Sequence, residues 1–324
     1  MNKTLIAILK VLDRQNGIIG SREISRQLKT YGIDLTERAV RYHLKILDER
    51  GYTEVFGKEG RRITDKGRTE LQHALVYEKT SFVITKIETL SYQTSFNIDT
   101  LEGDVILNVS FIPEDAIENA LKIMKPVFSS PYVMSTNFII KKAGERISDV
   151  TVPAGKVGIG TVCSITINGI FLRAGIPVTS RFGGVVEIND KKPVRFLSLI
   201  SYEGSSLDPH EVFIKSKMTA VIDAVKKGKG KILASYREIP AVCLEKVKEI
   251  AKSLAKKGIG GILLIGSPNR PILGIPPGID RAGIVVVGGL NPIAAIQESG
   301  IETESAAMST LFCYTKLVNF KELL

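Results

Sequence analysis

The sequence predicts an α/β protein with an N-terminal winged helix-turn-helix, followed by a larger region built from two similar α/β halves. Three observations carry this expectation. Between Met1 and Leu75, three short segments of helical apolar spacing lead into strand, basic turn, strand and helix. From Asp99 the texture changes to β-rich segments with glycine turns and a few amphipathic helices. Within that region two stretches recur in the same order, the mark of a duplicated unit.

Length and composition allow this. A chain of 324 residues can build about two or three domains, and 44% hydrophobic with 24% charged residues reads as globular. The net charge of +10 favours polyanionic partners. With no Trp and 6% aromatic residues, base stacking is a poor first choice for recognition. Cys163, Cys243 and Cys313 lie far apart and do not cluster with His43, His73 or His210. That gives neither zinc spacing nor a disulfide framework, expects no metal or cofactor, and suits a reducing, cytoplasmic interior. The start, MNKTLIAILKVLDRQNG, is too charged for a signal peptide, and no run approaches the roughly 18 apolar residues that span a bilayer.

Taken in order, Leu5, Ile8, Leu9 and Leu12 form the first helix, which Asn16-Gly17 ends. Ser21 is the expected cap of the second, with Ile24 and Leu28 inward and Gly32 as its stop. Thr36 opens the third, TERAVRYHLKILDERGY, where Val40, Leu44 and Leu47 make one apolar stripe. Arg38, Tyr42 and Lys45 fall on the opposite face and Arg41 on its flank. Tyr52–Phe56 reads as a strand, Gly57–Arg62 as a tight basic turn, Ile63-Thr64 as the returning edge, and Thr64 or Asp65 as the cap of a fourth helix. Such a third helix enters the major groove, where Arg and Lys read guanine edges. Lys58, Arg61 and Arg62 would meet phosphate or the adjacent minor groove, giving mainly register and affinity. Residues 1–80 hold 16 basic and 11 acidic side chains, half of the chain's excess charge. A winged helix used as a protein–protein module is the alternative. His43, beside the stripe, reads as packing, and His73 as partly packed or solvated.

The expected domains are 1–80 for the winged helix, 81–98 for a connector and 99–324 for the duplicated region. Residues 75–93 look helical and would extend the fourth helix into a connector or a dimer contact. Beyond, GDVILNVSFIPEDAIENALKIM echoes GKILASYREIPAVCLEKVKEIA, and VPAGKVGIGTVCSITINGIFLRAGIP echoes IPPGIDRAGIVVVGGLNPIAAIQESGIE.

If the halves pack about a pseudo-two-fold axis, the junctions at Cys163-Ser164-Ile165 and Gly288-Gly289-Leu290-Asn291 face a shared cleft. Each offers backbone N–H groups and a helix N-terminus to an anion, which makes a dicarboxylate attractive. Arg181, followed by Phe182-Gly183-Gly184 in what reads as a flexible turn, is a candidate carboxylate fork; Arg173, Arg270 and Arg281 are further cations near these segments, with surface solubility or interdomain salt bridges as the alternative for all four. The effector set is therefore Cys163, Ser164, Arg181, Gly183, Gly184, Gly288, Gly289 and Asn291. GKVGIGTVCS lacks the full dinucleotide pattern. The cysteines read as small buried side chains, Asp115 and Glu118 as helix-dipole partners, and His210 as an exposed turn residue without a positioned acid.

The winged-helix segment with RRITDKGRTEL, together with GIFLRAGIPVTSRFGGVVEI and GIVVVGGLNPIAAIQESGIETES, resembles the archaeal nitrogen-regulation repressor family, NrpR. The resemblance covers nearly the whole chain. It implies a repressor of nitrogen-assimilation and nitrogen-fixation genes that binds palindromic double-stranded operator DNA as an oligomer, here a homodimer, and is relieved by 2-oxoglutarate. Some members carry two sensor domains where this chain shows one, which leaves open a second sensor-family protein as partner. The competing function is a small-carboxylate-processing enzyme with a regulatory winged helix, using His210 or Cys163.

Overall fold

The computed structural model describes residues 3–15, 17–74 and 82–323, in two units, residues 1–80 and 81–324. The first contains α1 (Lys3–Gln15), α2 (Ser21–Leu28), α3 (Glu37–Glu49), β1 (Thr53–Phe56), β2 (Gly60–Ile63) and α4 (Asp65–Ala74). Ile8, Leu9, Leu12, Ile24, Leu28, Val40, Leu44 and Leu47 are wholly buried, so the apolar stripes of the three helices close one core. Thr36 caps α3, its Oγ1 accepting the Ala39 amide at 3.3 Å. Thr64 does the same for α4, accepting from Gly67 at 3.0 Å.

Two local expectations change. Gly20, not Ser21, occupies the N-cap of α2 and makes no side-chain bond; Ser21 Oγ instead donates to Glu37 Oε1 at 3.0 Å. The wing turn is also shorter than Gly57–Arg62. Phe56 already pairs with Gly60 and Val55 with Arg61, so Arg61 and Arg62 lie on β2. The reason is a third backbone strip: Ile19 and Arg61 exchange N–H···O bonds at 3.0 Å in both directions. A Cβ at Gly60 would lie 2.2 Å from the Ile19 carbonyl oxygen, and its φ of 139° is open to glycine alone. Residues 75–81, expected to end the fourth helix and begin the connector, and the His73 side chain lie outside the described residues.

The second unit begins with α5 (Phe82–Gln93), whose Val83 and Ile87 are buried with Ile106, Cys163, Tyr202 and Met308. Its first half runs β3 (Asp104–Pro113), α6 (Ile117–Phe128), β4 (Asn137–Lys141), the small hairpin β5 (Arg146–Ile147) and β6 (Val150–Thr151), β7 (Lys156–Val162), α7 (Thr166–Arg173) and β8 (Thr179–Asn189). β9 (Lys192–Ser201), α8 (Pro209–Lys215) and α9 (Val221–Lys227) lead to the second half. That half repeats the order as β10 (Gly230–Pro240), α10 (Leu244–Lys256), β11 (Ile262–Ile265), β12 (Arg281–Val287), α11 (Asn291–Glu298) and β13 (Glu304–Cys313), before β14 (Val318–Asn319).

The duplication is thus real, and it carries a strand exchange. One sheet has the order β11-β12-β10-β8-β9 and the other β13-β3-β7-β4-β14, all neighbours antiparallel. Each half therefore gives its last strand to the other half's sheet. The two halves cannot separate without breaking ladders on both sides, and one continuous core, from Leu107 and Ile159 to Leu233, Ile284 and Ile293, runs through them. The repeat extends to single bonds. Thr166 Oγ1 accepts from Ile106 N at 3.1 Å in the first half, and Asn291 Oδ1 accepts from Leu233 N at 2.8 Å in the second.

Candidate functional site

The packing of Val40, Leu44 and Leu47 inward leaves Arg38, Arg41, Tyr42 and Lys45 exposed on the other side of α3. Arg38 and Lys45 make no hydrogen bond or ion pair among the described residues. Tyr42 is 66% exposed, its ring edge-on to His43. Arg41 is less available. It ion-pairs with Glu37 and donates from Nε to Ser21 Oγ at 3.2 Å, tying α3 to α2. The Arg41 and Ser21 bonds hold the Glu37 carboxyl below its usual range.

On the wing, Lys58 stands exposed at the turn. Arg61 turns inward, its Nε donating to both Asp48 oxygens at 3.1 and 2.9 Å, so it braces β2 against the end of α3. Arg62 is exposed but paired with Glu54 at 3.0 Å and laid over the Phe56 ring at 4.8 Å. Sequence reasoning passed over one cation of this surface, Arg22, exposed on the first turn of α2.

In the second unit the two junctions meet, but as a packed seam. Thr161 Oγ1 donates to the Gly289 carbonyl at 2.9 Å. A Cβ at Gly289 would fall 2.3 Å from the Val162 oxygen and 2.6 Å from Asn108 Nδ2. Glycine there lets one half approach the other, rather than a ligand. The space among Asn108, Cys163, Tyr202, His210 and Met308 is about 10 Å³, enough for one water and not for a dicarboxylate. The leading amides are also used: Cys163 N donates to Ile106 O and Gly288 N to Leu233 O, both at 2.7 Å.

Asn291 is fully engaged as well, donating to the Tyr132 and Leu233 carbonyls at 3.0 and 3.1 Å besides accepting from Leu233 N, so it is a strut. Gly183 and Gly184 lie inside β8, not in a flexible turn. Their missing side chains make room for Pro209 and for the Ser198 carbonyl, each 2.6 Å from where a Cβ would stand. Arg181 is apart from the seam, at the rim of an open cavity of about 440 Å³ floored by Asn168, Leu172 and Ser180, with its Nε 3.9 Å from Glu238. Arg173 donates to the Thr94 carbonyl at 2.8 Å, Arg281 to Thr179 Oγ1 at 3.5 Å, and Arg270 is exposed.

What lies beneath the seam was not foreseen. Arg237 on β10 is 0% exposed. It donates Nη1 to Ser164 O at 2.9 Å, and Nη2 to Ser164 Oγ at 2.9 Å and Ser235 Oγ at 3.2 Å, while its Nε has no partner. No carboxylate pairs with it among the described residues. Burial pushes its pKa down to about 10. The sequence held one clue: aligned on the repeat, Arg237 of GKILASYREIP stands where the first half has Ser110.

The side chains proposed for enzyme chemistry are unsuited to it. Burial pushes the Cys163 thiol up to about 11, leaving it protonated near neutrality. His210 is buried inside α8, not exposed in a turn, with Nε2 3.1 Å from the Ala234 carbonyl. Among the described residues no three His, Cys, Asp or Glu side chains gather as a metal site, and no helix is long and apolar enough to cross a membrane.

A winged helix with an outward cationic face, continuous in one chain with a duplicated α/β unit around a buried charge, defines a transcription regulator with a built-in regulatory region. Residues 80–319 match the family described as NrpR regulatory domains NRD1 and 2, and residues 6–71 match the Ribonuclease R winged-helix domain. The global nitrogen regulator NrpRI of Methanosarcina mazei is 40% identical over 314 residues, 97% of each chain. The global nitrogen regulators NrpR of Methanococcus maripaludis and Methanocaldococcus jannaschii are 32% and 34% identical over 94% and 74% of this chain. Those matches span 53% and 40% of their own lengths. A crystal structure of a nitrogen repressor-like protein from Methanococcus jannaschii superposes with a TM-score of 0.62 at 33% identity, covering 74% of this chain and 98% of that one. The chain belongs to the NrpR family of nitrogen regulators, and is a regulator rather than an enzyme.

Proposed function

We propose that the chain represses nitrogen-assimilation genes by binding operator DNA in the cytoplasm as a homodimer, and lets go when 2-oxoglutarate binds its second unit. The observation that carries the DNA reading is the presentation of Arg38, Tyr42 and Lys45 on a helix whose other face closes the core. One such module buries only about 600–1,000 Å² on DNA, which favours a two-fold pair on a palindrome. Mobility shifts on matched and scrambled operator duplexes at fixed salt test it. Equal affinity of the intact protein for both would defeat the reading.

For the effector, Arg237 is the anchor we favour: a buried cation supplied only with neutral acceptors, next to Ser164 and under the seam. A dicarboxylate provides the missing negative charge, yet the seam has no room for it as it stands. Binding must therefore open the seam, and a ligand that binds only the open form shifts the protein towards it. Calorimetry with 2-oxoglutarate, with and without operator DNA, tests this step; heat of binding that is indifferent to DNA would refute the switch.

A further inference from the structure

The starts of α2 and α3 and the wing turn enclose a groove of about 470 Å³ in the first unit. Four cations line it, one each from α2, α3, the turn and β2: Arg22, Arg41, Lys58 and Arg61. Two are already spent. Arg41 is neutralised by Glu37, and Arg61 by Asp48. Glu37, which Arg22 also faces, is thereby occupied by Arg41 and Ser21. Glu23, next in sequence, is held by Arg26 and Gln27 on the far side of its turn. Arg22 and Lys58 remain, both exposed and without a hydrogen bond or ion pair among the described residues. Their separation is set by the fold: the paired Ile19–Arg61 bonds fasten the wing to the strip just before α2.

We infer that this groove seats one backbone phosphate of the bound duplex, gripped by Arg22 from α2 and Lys58 from the wing. The guanidinium offers a planar fork and the ammonium a point charge, the two complementary ways of holding phosphate oxygens. The contact carries no base information. It fixes how α3 sits in the groove it reads, so Arg22 and Lys58 are positioning residues. The inference rests on the DNA-binding reading above. Arg62, on the outer face of β2 and paired with Glu54, is outside the grip.

The test uses the full chain, R22A, K58A and the double variant, on operator and scrambled duplexes across a salt series. Each single variant is expected to lose about three- to tenfold on both duplexes and to lower the salt slope by about one. The double variant should lose less than the product, because both side chains serve one phosphate. A methylphosphonate placed singly along the operator should, at one position per half-site, weaken the wild type by more than it weakens R22A or K58A, and leave the double variant unchanged. Wild-type affinity in the double variant, or additive losses insensitive to every methylphosphonate, overturns the grip. So does stabilisation by inorganic phosphate that R22A abolishes while DNA affinity stays intact, which would mark a free-anion site. Failure of the wild type to bind either duplex would sink the DNA reading itself.

Discussion

Arg237→Met removes a wholly buried cation whose bonds all end on neutral oxygens. Burial pushes its guanidinium down from the ordinary arginine range to about 10, and at 1.36 kcal/mol per unit the charged form is about 3 kcal/mol less at home in the fold than in water. Because the folded pKa is the lower one, this cost is present in full at pH 7 and eases only as pH rises past about 10 towards the ordinary arginine range. Against it stand hydrogen bonds of a charged donor, worth about 1.5–3 kcal/mol each when well made. Buried ionic groups replaced by apolar ones of similar volume commonly come out even or gain about 1–4 kcal/mol. Urea unfolding should therefore find R237M within about 1 kcal/mol of the wild type, or above it. The effector reading gives the sharper result: 2-oxoglutarate at a hundred times its Kd should stabilise the wild type by about 2.7 kcal/mol and leave R237M unmoved. A variant that loses several kcal/mol without ligand would make Arg237 a strut, and one that keeps the ligand effect would place the anion elsewhere.

Lys45→Ala and Arg38→Ala should each cost about 1–3 kcal/mol on matched operator and much less on scrambled DNA; unchanged discrimination in mobility shifts removes them from the reading face. Gly169→Ala places a methyl 1.8 Å from Thr94 Cγ2 and 2.8 Å from the Ser91 carbonyl. It should lower stability by about 1–3 kcal/mol in thermal unfolding, and an unchanged Tm would mean that α5 yields without cost. Asn291→Ala strips partners from the Tyr132 and Leu233 backbone at a wholly buried site, a loss of about 1–3 kcal/mol or more, readable by urea titration.

Much of the first unit was legible because its information is local. The stripe Val40, Leu44, Leu47 and the cap Thr36 are periodic and short-range, and they fix which side of α3 faces out. What each outward charge is used for was not legible. Arg41, Arg61 and Arg62 look alike in sequence, yet their partners Glu37, Asp48 and Glu54 are chosen by how α2, α3 and the wing pack. In the second unit the repeat was visible as order, and the meeting of the junctions followed from it. The exchange of β8 and β13 was not, since a strand carries its own alternation but not the identity of its neighbour. The glycines at 183 and 184 read as a flexible turn and those at 288 and 289 as part of an anion seat, yet all four stand where chain approaches chain, a distinction that lies in the partner and not in the glycine.

The strand exchange limits how an effector can act. Rotating the halves apart would break the β8–β10 and β13–β3 ladders, far more than a small ligand supplies. The contacts free to change are those outside the ladders, among them the Thr161–Gly289 bond and the Arg237–Ser164 pair across the seam. A shift of the protein from 1:99 to 99:1 needs about 5.5 kcal/mol of differential affinity, which one buried guanidinium gaining a carboxylate, together with a second anionic group, can approach. Linkage then fixes a reciprocal result. If 2-oxoglutarate weakens operator binding by some factor, saturating operator must weaken 2-oxoglutarate binding by the same factor. Calorimetric titrations of effector with and without operator, set beside mobility shifts with and without effector, measure both sides. A factor of one, with operator affinity unmoved by 2-oxoglutarate and 2-oxoglutarate affinity unmoved by operator, would mean that the two sites are not linked, and the seam could not then be the switch.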